Sequence, residues 1–251
     1  MDDSVVLQET NHVVVWLRPA PVVAKVAVRH RKDEDLYREH ALATELAALG
    51  AEVAVPFADP TVHAPTGLLV TLWEHLGQRT TAPVGSEELA ASIRRLHECL
   101  AVTTVPLPSY ARDLLLAQVA LTDFSRTGTL EENDRSLLLA VFEDGLGRLD
   151  DHQVNERRLH GEPHEGNRIV TSAGVQWLDF ESSCVGPIEW DLAFVPVEVA
   201  RCYRGIDGDL LALLRRLNSA RVATWCAAAA RFPIMREYGE IHLSQLRDKS
   251  T

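Results

Sequence analysis

Three oxygen-bearing side chains between positions 160 and 179 stand at spacings that suit proton abstraction beside a divalent cation. Glu162 is followed five residues on by Asn167. Two β-prone runs, Ile169–Val170 and Val175–Leu178, then flank the turn Thr171-Ser172-Ala173-Gly174, and Asp179 comes next. Runs joined by a glycine-containing turn predict a hairpin, and a hairpin brings its outer ends, here Asn167 and Asp179, together. Magnesium takes hard oxygen ligands and keeps several waters, so an Asn amide, an Asp carboxylate and nucleotide phosphates suffice to hold it. A carboxylate on the adjoining loop, Glu162, can orient an attacking hydroxyl and accept its proton. A surface hairpin with polar ends would show the same run of residue types, and only the carboxylate-to-Asn offset behind His160-Gly161 speaks against that reading.

A second pair of charges lies near the N-terminus. The chain has only three lysines, Lys25, Lys32 and Lys249. Lys32 sits in a charged run and Lys249 near the end, whereas Lys25 interrupts the apolar stretch Pro21-Val22-Val23-Ala24-Lys25-Val26-Ala27-Val28. An ammonium in such a strand is costly unless paired, or unless it snorkels to water from an edge. Periodicity supplies a partner. Residues 35–49 are predicted helical, ending at Gly50, with an apolar stripe at Leu42, Leu46 and Leu49. Glu39 continues that stripe three residues before Leu42, and Glu45 lies off it. Two charges that each need a buried partner point to one another.

These residues resemble the aminoglycoside phosphotransferase and choline kinase family, whose loop reads His-Gly-Asp-x-His-x-x-Asn. His160, Gly161, His164 and Asn167 match the loop, and Asp179 matches the family's metal-binding Asp. Gly186-Pro187 with Asp191-Leu192-Ala193 resembles the following Gly-x-x-x-x-Asp-Leu-Ala run, Arg38-Glu39-His40-Ala41 resembles the Arg-Glu-x-x-Ala context, and Leu96-His97 resembles the family's Leu-His pair. The resemblance implies a protein-kinase-like α+β fold: a small N-terminal antiparallel β-sheet lobe with one helix, residues 1–73, and a larger, mainly helical lobe, residues 74–251. It further implies a phosphotransferase that uses ATP and Mg to phosphorylate a hydroxyl of a small molecule. Lys25, braced by Glu39, would hold the nucleotide phosphates. Thr10 and Asn11, in the turn between the first two strands, would help cover them, and Trp73, Glu74 and His75 would face adenine. Asn167 and Asp179 would ligate metal, and Glu162 would be the catalytic base. His160 would be structural, Asp191 would support the loop, and His164 would shape the loop, touch phosphate or be solvated. Glu181 reads as a surface salt bridge.

Two departures bear on activity. Glu162 stands where the family has Asp. It is longer by one methylene, about 1.5 Å, and a misplacement of that order can cost about a hundredfold in rate. No glycine-rich sequence precedes Lys25. The alternative is therefore a catalytically weak, nucleotide-binding module. A protein-substrate kinase is disfavoured, because there is no Ala-Pro-Glu motif and the gap from Asp179 to Gly186 leaves no room for an activation loop.

Composition narrows the partners. The chain has 251 residues, 46% hydrophobic and 24% charged, with a net charge of −11. That balance disfavours nucleic acid and acidic membranes and suits a cationic substrate. No apolar run approaches a membrane span, and Met1-Asp2-Asp3-Ser4 lacks the basic and apolar regions of a signal peptide. The four scattered cysteines fit a reduced, cytoplasmic protein. Strands are expected near 4–8, 12–17, 21–28, 53–57 and 67–72. Helices are expected from Ser86, with a capping carboxylate, to His97, and near 109–126, 131–151, 188–203, 207–231 and 234–247, with the run Ala227–Ala230 inside a helix.

Overall fold

A computed structural model describes residues 3–9, 12–27, 33–63, 65–77, 80, 83–149, 151–152 and 154–248. Thr10, Asn11, Lys32 and Lys249 lie outside the described residues. In chain order the elements are β1 (Val5–Glu9), β2 (His12–Trp16), β3 (Val22–Ala27), α1 (Asp33–Ala48), β4 (Pro56–His63), β5 (Leu68–Glu74), α2 (Ser86–Leu100), α3 (Ala111–Leu121), α4 (Phe124–Thr127) and α5 (Glu132–Leu149). They continue with β6 (Arg157–Leu159), β7 (Arg168–Thr171), β8 (Gly174–Trp177), β9 (Cys184–Gly186), α6 (Ile188–Leu192), α7 (Val197–Arg201), α8 (Gly208–Ala228) and α9 (Pro233–Asp248), with 3-10 turns at Glu165–Asn167 and Phe180–Ser182. The chain divides into two units, one made of Met1–Leu107, Arg158–Ser183 and Pro196–Cys202, the other of Pro108–Arg157, Cys184–Val195 and Tyr203–Thr251.

The first unit holds an antiparallel five-stranded sheet in the order β1-β2-β3-β5-β4. β3, rich in valine, lies at its centre, where β-branched residues fit a pleated, buried surface. α1 buries Leu36, Leu42, Ala43 and Leu46, and it stops where Gly50 takes φ 75°, a left-handed value that glycine adopts without strain. α2 buries Leu89, Ile93, Leu96 and Leu100. Each such leucine contributes about 1.5–3 kcal/mol by leaving water. The β7–β8 hairpin is anchored at Trp177, whose N–H donates to the Glu52 carbonyl at 2.9 Å and whose own carbonyl accepts from Ala54 N–H at 2.9 Å. The Trp177 ring is fully buried, and its Nε1–H donates to Ser92 Oγ at 3.0 Å.

β4 begins three residues later than expected and runs on through Asp59-Pro60. It is an exposed edge strand with an irregular register against β5, and an edge can carry a proline whose missing N–H no neighbour needs. The second unit is helical. Leu114 and Leu121 of α3, Leu138 and Phe142 of α5, and Leu214 and Leu217 of α8 are fully buried. Gly145 admits Leu217, since a Cβ there would stand 2.6 Å from Leu217 Cδ2. Three expected helices are corrected. The stretch 109–126 divides at Asp123, whose carboxylate accepts from Ser125 N–H and caps α4. The stretch 188–203 breaks at Pro196, which cannot donate to a preceding turn. The alanine run leaves the helix after Ala228. α2 begins at Ser86 as expected, but Gly85 precedes it without a side-chain cap.

Candidate active site

The charged centre lies wholly within the first unit. Lys25, from β3, is buried, and its Nζ donates to Glu39 Oε1 at 3.0 Å and Oε2 at 2.8 Å, so the pair inferred from periodicity is present. Two more carboxylates meet the same ammonium: Asp179 Oδ1 at 3.1 Å and Glu181 Oε1 at 2.5 Å. Burial alone would lower the Lys25 pKa, but Asp179, Glu39 and Glu181 outweigh it and hold the group above its ordinary range. For Glu39, burial is the largest influence and raises its pKa; Lys25 opposes the rise and the neighbouring carboxylates add to it, leaving it at about 8. One cation facing three carboxylates leaves a surplus of negative charge. Ligand atoms of Glu39, Asp179 and Glu181 lie within 4.8 Å of one another because all three carboxylates converge on the Lys25 ammonium.

The 180–182 turn differs from its expected surface position. Glu181 is buried because the turn after Asp179 folds inward against α1, where Arg38 Nη2 donates to the Glu181 carbonyl at 3.0 Å. Asp179 is half-buried and has φ 61°, the only positive value at a described non-glycine residue. Such a backbone is sparsely populated away from glycine, and it concentrates at functional sites.

The catalytic-type loop is braced on both sides. Leu178 N–H donates to the Asn167 carbonyl at 2.9 Å, so the hairpin brings Asn167 opposite the residue before Asp179, as its sequence predicts. Asn167 Nδ2 donates to the Glu162 carbonyl at 2.9 Å, which leaves its Oδ1 with no bond to a described residue. Glu162 is half-buried and lies one residue beyond Gly161. Gly161 has φ 92°, and a Cβ there would stand 1.9 Å from the Ser182 carbonyl oxygen, so the loop can approach the 180–182 turn only as glycine. His160 is buried between Trp177 and Phe180. Its Nδ1 accepts from Glu162 N–H at 3.3 Å and its Nε2 meets the Leu178 carbonyl at 3.0 Å, which fixes the Nε2–H tautomer and the structural role expected for it. His164 is exposed and shapes the loop, accepting from Gly166 N–H at 3.0 Å.

Other expected residues are differently disposed. Trp73 is buried, its Nε1–H donating to Thr71 Oγ1 at 2.8 Å. Glu74 N–H donates to the Val55 carbonyl and His75 N–H to the Pro21 carbonyl, and the His75 ring stacks on Trp16 at 4.0 Å. A hinge contact at 74–75 would therefore use carbonyls rather than these N–H groups. Asp191 is fully buried in α6 of the second unit. Sequence reasoning missed His12, which is buried with Nε2 2.6 Å from Glu181 Oε1. The β2–β3 register, Val14 opposite Lys25 and His12 opposite Ala27, is the signal that would have found it.

The model of the phosphotransferase enzyme family matches residues 8–232, most of the chain. This chain belongs to the phosphotransferase enzyme family. Membership makes it a small-molecule kinase, as the loop sequence implied. No curated protein matches it. Solved structures share its protein-kinase-like fold. The amicoumacin kinase hAmiN, in complex with AMP-PNP, Ca2+ and Ami, has a TM-score of 0.74 at 13% identity, over 98% of this chain and 88% of that one. A choline/ethanolamine kinase family protein from Mesorhizobium loti has a TM-score of 0.70 at 16% identity, over 98% and 87%. The GDP and kanamycin complex of APH(2")-IIia has a TM-score of 0.71 at 14% identity, over 99% and 93%. At these identities the likeness is one of fold, and the site of this phosphotransferase rests on its own residues.

Proposed function

We propose that this phosphotransferase moves the γ-phosphoryl group of ATP, held with magnesium, to a hydroxyl of a small molecule of the aminoglycoside, amino sugar or amino alcohol class. One observation carries the reading: a single buried lysine is held by the helix carboxylate Glu39 and also touches Asp179, the residue that follows the Asn167 hairpin. Lys25 then presents its ammonium to the nucleotide phosphates, with Glu39 fixing its direction. Asn167 Oδ1 and Asp179 are the groups to hold magnesium, which when bound neutralises charge on the transferring phosphate. Glu162 orients the acceptor hydroxyl and takes its proton as the oxygen bonds to phosphorus and the bond to the bridging oxygen breaks, so that ADP leaves with the electron pair. By their order along the chain, Thr10 and Asn11 would cover the phosphates and residues 73–75 would meet adenine.

The net charge of −11 favours a cationic acceptor. Neighbouring structures of an amicoumacin kinase, a choline/ethanolamine kinase family protein and a kanamycin complex support a small, hydroxyl-bearing one. Four free cysteines suit a reducing, cytoplasmic setting, and no described helix is long and apolar enough to cross a membrane. Glu162 in place of Asp favours a second reading, a nucleotide-binding module with weak transfer. An acceptor screen decides: formation of ADP from ATP, or of GDP from GTP, is measured with panels of aminoglycosides, amino sugars and amino alcohols. Acceptor-dependent turnover that Glu162→Ala abolishes supports the kinase. Tight nucleotide binding with no acceptor-dependent turnover supports the binding module.

A further inference from the structure

Lys25 has a second brace, and that brace has a support of its own. A family kinase needs one carboxylate to direct its lysine, and Glu39 does so here at 2.8 Å. Glu181 adds another at 2.5 Å, with its side chain wholly buried. Two buried carboxylates beside one ammonium repel each other, and a buried charge is retained only where further partners compensate it. His12 is placed beside Glu181. In an antiparallel pair, directly opposed residues share a face, and so do alternate residues along one strand. Val14 opposes Lys25, so His12, two residues before Val14, projects from the same face as Lys25.

His12 is 5% exposed, and neither ring nitrogen has a directed hydrogen bond among the described residues. Buried polar atoms in that condition call for an explanation. The explanation at hand is Glu181, whose Oε1 lies 2.6 Å from His12 Nε2, off the axis of a straight N–H···O bond but well inside ion-pair distance. Arg38 holds the backbone of the same residue through the Glu181 carbonyl. Glu181 is thus fixed at its carboxylate by His12 and at its carbonyl by α1.

We infer that His12 is a positioning residue: it holds the Glu181 carboxylate against Lys25, so that the ammonium keeps its direction when Asp179 turns from it to the metal-nucleotide. This inference rests on the phosphotransferase site proposed above. It distinguishes Glu181, as a lysine brace, from a metal ligand.

The test is a mutant cycle on the full chain with His12→Ala, Glu181→Gln and the double variant, together with His12→Gln, which keeps a side-chain donor. ATP KM, kcat, magnesium half-saturation and urea unfolding are read for each. Each single loss raises KM for ATP about tenfold with kcat within about threefold, and the double variant is no worse than the worse single, because coupled residues are not additive. His12→Gln recovers most of the affinity, and magnesium half-saturation stays at the native value. Multiplied effects in the double variant would overturn the inference, as would a His12→Ala that lowers stability while KM is unchanged, or a Glu181→Gln whose magnesium requirement rises about tenfold. Failure of the native chain to bind nucleotide would sink the proposed function instead. The unfolding cycle then still decides whether His12 and Glu181 are coupled, and independent losses there would refute the pair.

Discussion

Two of the buried cations, one from each unit, are satisfied in opposite ways. Arg135 of α5 is 3% exposed and meets only neutral partners among the described residues. Its Nη1 donates to the Leu121 carbonyl at 2.5 Å and to Thr127 Oγ1 at 2.8 Å, its Nη2 donates to the Thr127 carbonyl at 2.8 Å, and its guanidinium lies 4.1 Å over the Phe124 ring. Lys25 is buried to a similar degree but faces three carboxylates. The arginine ties the end of α3 to α4 and leaves no unmatched ionic charge except its own. The lysine cluster carries more negative charge than it neutralises. Burial of charge alone therefore does not mark a site, whereas several titratable carboxylates crowded around one ammonium mark a candidate one. Unbalanced sites cost stability, and that cost is accepted where the chemistry needs it.

The sharpest way to break the comparison is to neutralise one member of the cluster. Asp179→Asn should lower kcat/KM for ATP about 10³-fold, since it removes the charge that faces metal. It should leave the melting temperature unchanged or raise it, because like charges are relieved and Asn also tolerates the left-handed backbone at this position. Arg135→Met should do the reverse. It leaves the Leu121 and Thr127 carbonyls without their donor and should cost about 3 kcal/mol in urea unfolding, with KM for ATP at the native value. If both substitutions cost stability alike, the contrast between the two cations fails.

A smaller effect concerns Glu162. If its extra methylene misplaces the base, Glu162→Asp should raise kcat about tenfold at unchanged KM for ATP. A fall in kcat would mean that the loop has retreated to fit the longer side chain.

The smallest expected effect is in pH. Burial raises the Glu39 pKa from 4.5 to about 8, so across that window the folded chain holds the Glu39 proton more tightly than the unfolded chain does. Stability of the nucleotide-free protein should accordingly fall as pH rises through that window. Glu39→Gln should flatten that decline. The contribution of Lys25 itself is lost only above its ordinary value of 10.5, outside this window.

Much of the site was legible in the sequence because it is written in local patterns. Lys25 and Glu39 each broke an apolar pattern, of strand and of helix, and so announced one another. Asn167 and Asp179 are joined by a hairpin whose turn is short enough to read. Glu181 and His12 were not legible in this way. The inward fold of the 180–182 turn depends on Gly161 admitting the Ser182 carbonyl and on Arg38 capturing the Glu181 carbonyl, both contacts distant in sequence. The face that His12 occupies depends on a strand register that no single strand encodes. In the rest of the fold, the long amphipathic helices were visible from periodicity, while the strand expected at 53–57 stops short of Asp59-Pro60, a pair that only an exposed edge strand such as β4 accommodates.

The central claim is that Asp179 and Lys25 form a metal-nucleotide site. Calorimetric titration of ATP into the native chain and into Asp179→Asn, each with and without magnesium, tests it most directly. The account predicts saturable, magnesium-dependent binding by the native chain and at least about a hundredfold weaker binding by Asp179→Asn. Absence of binding by the native chain, or equal binding by the two proteins, would contradict it.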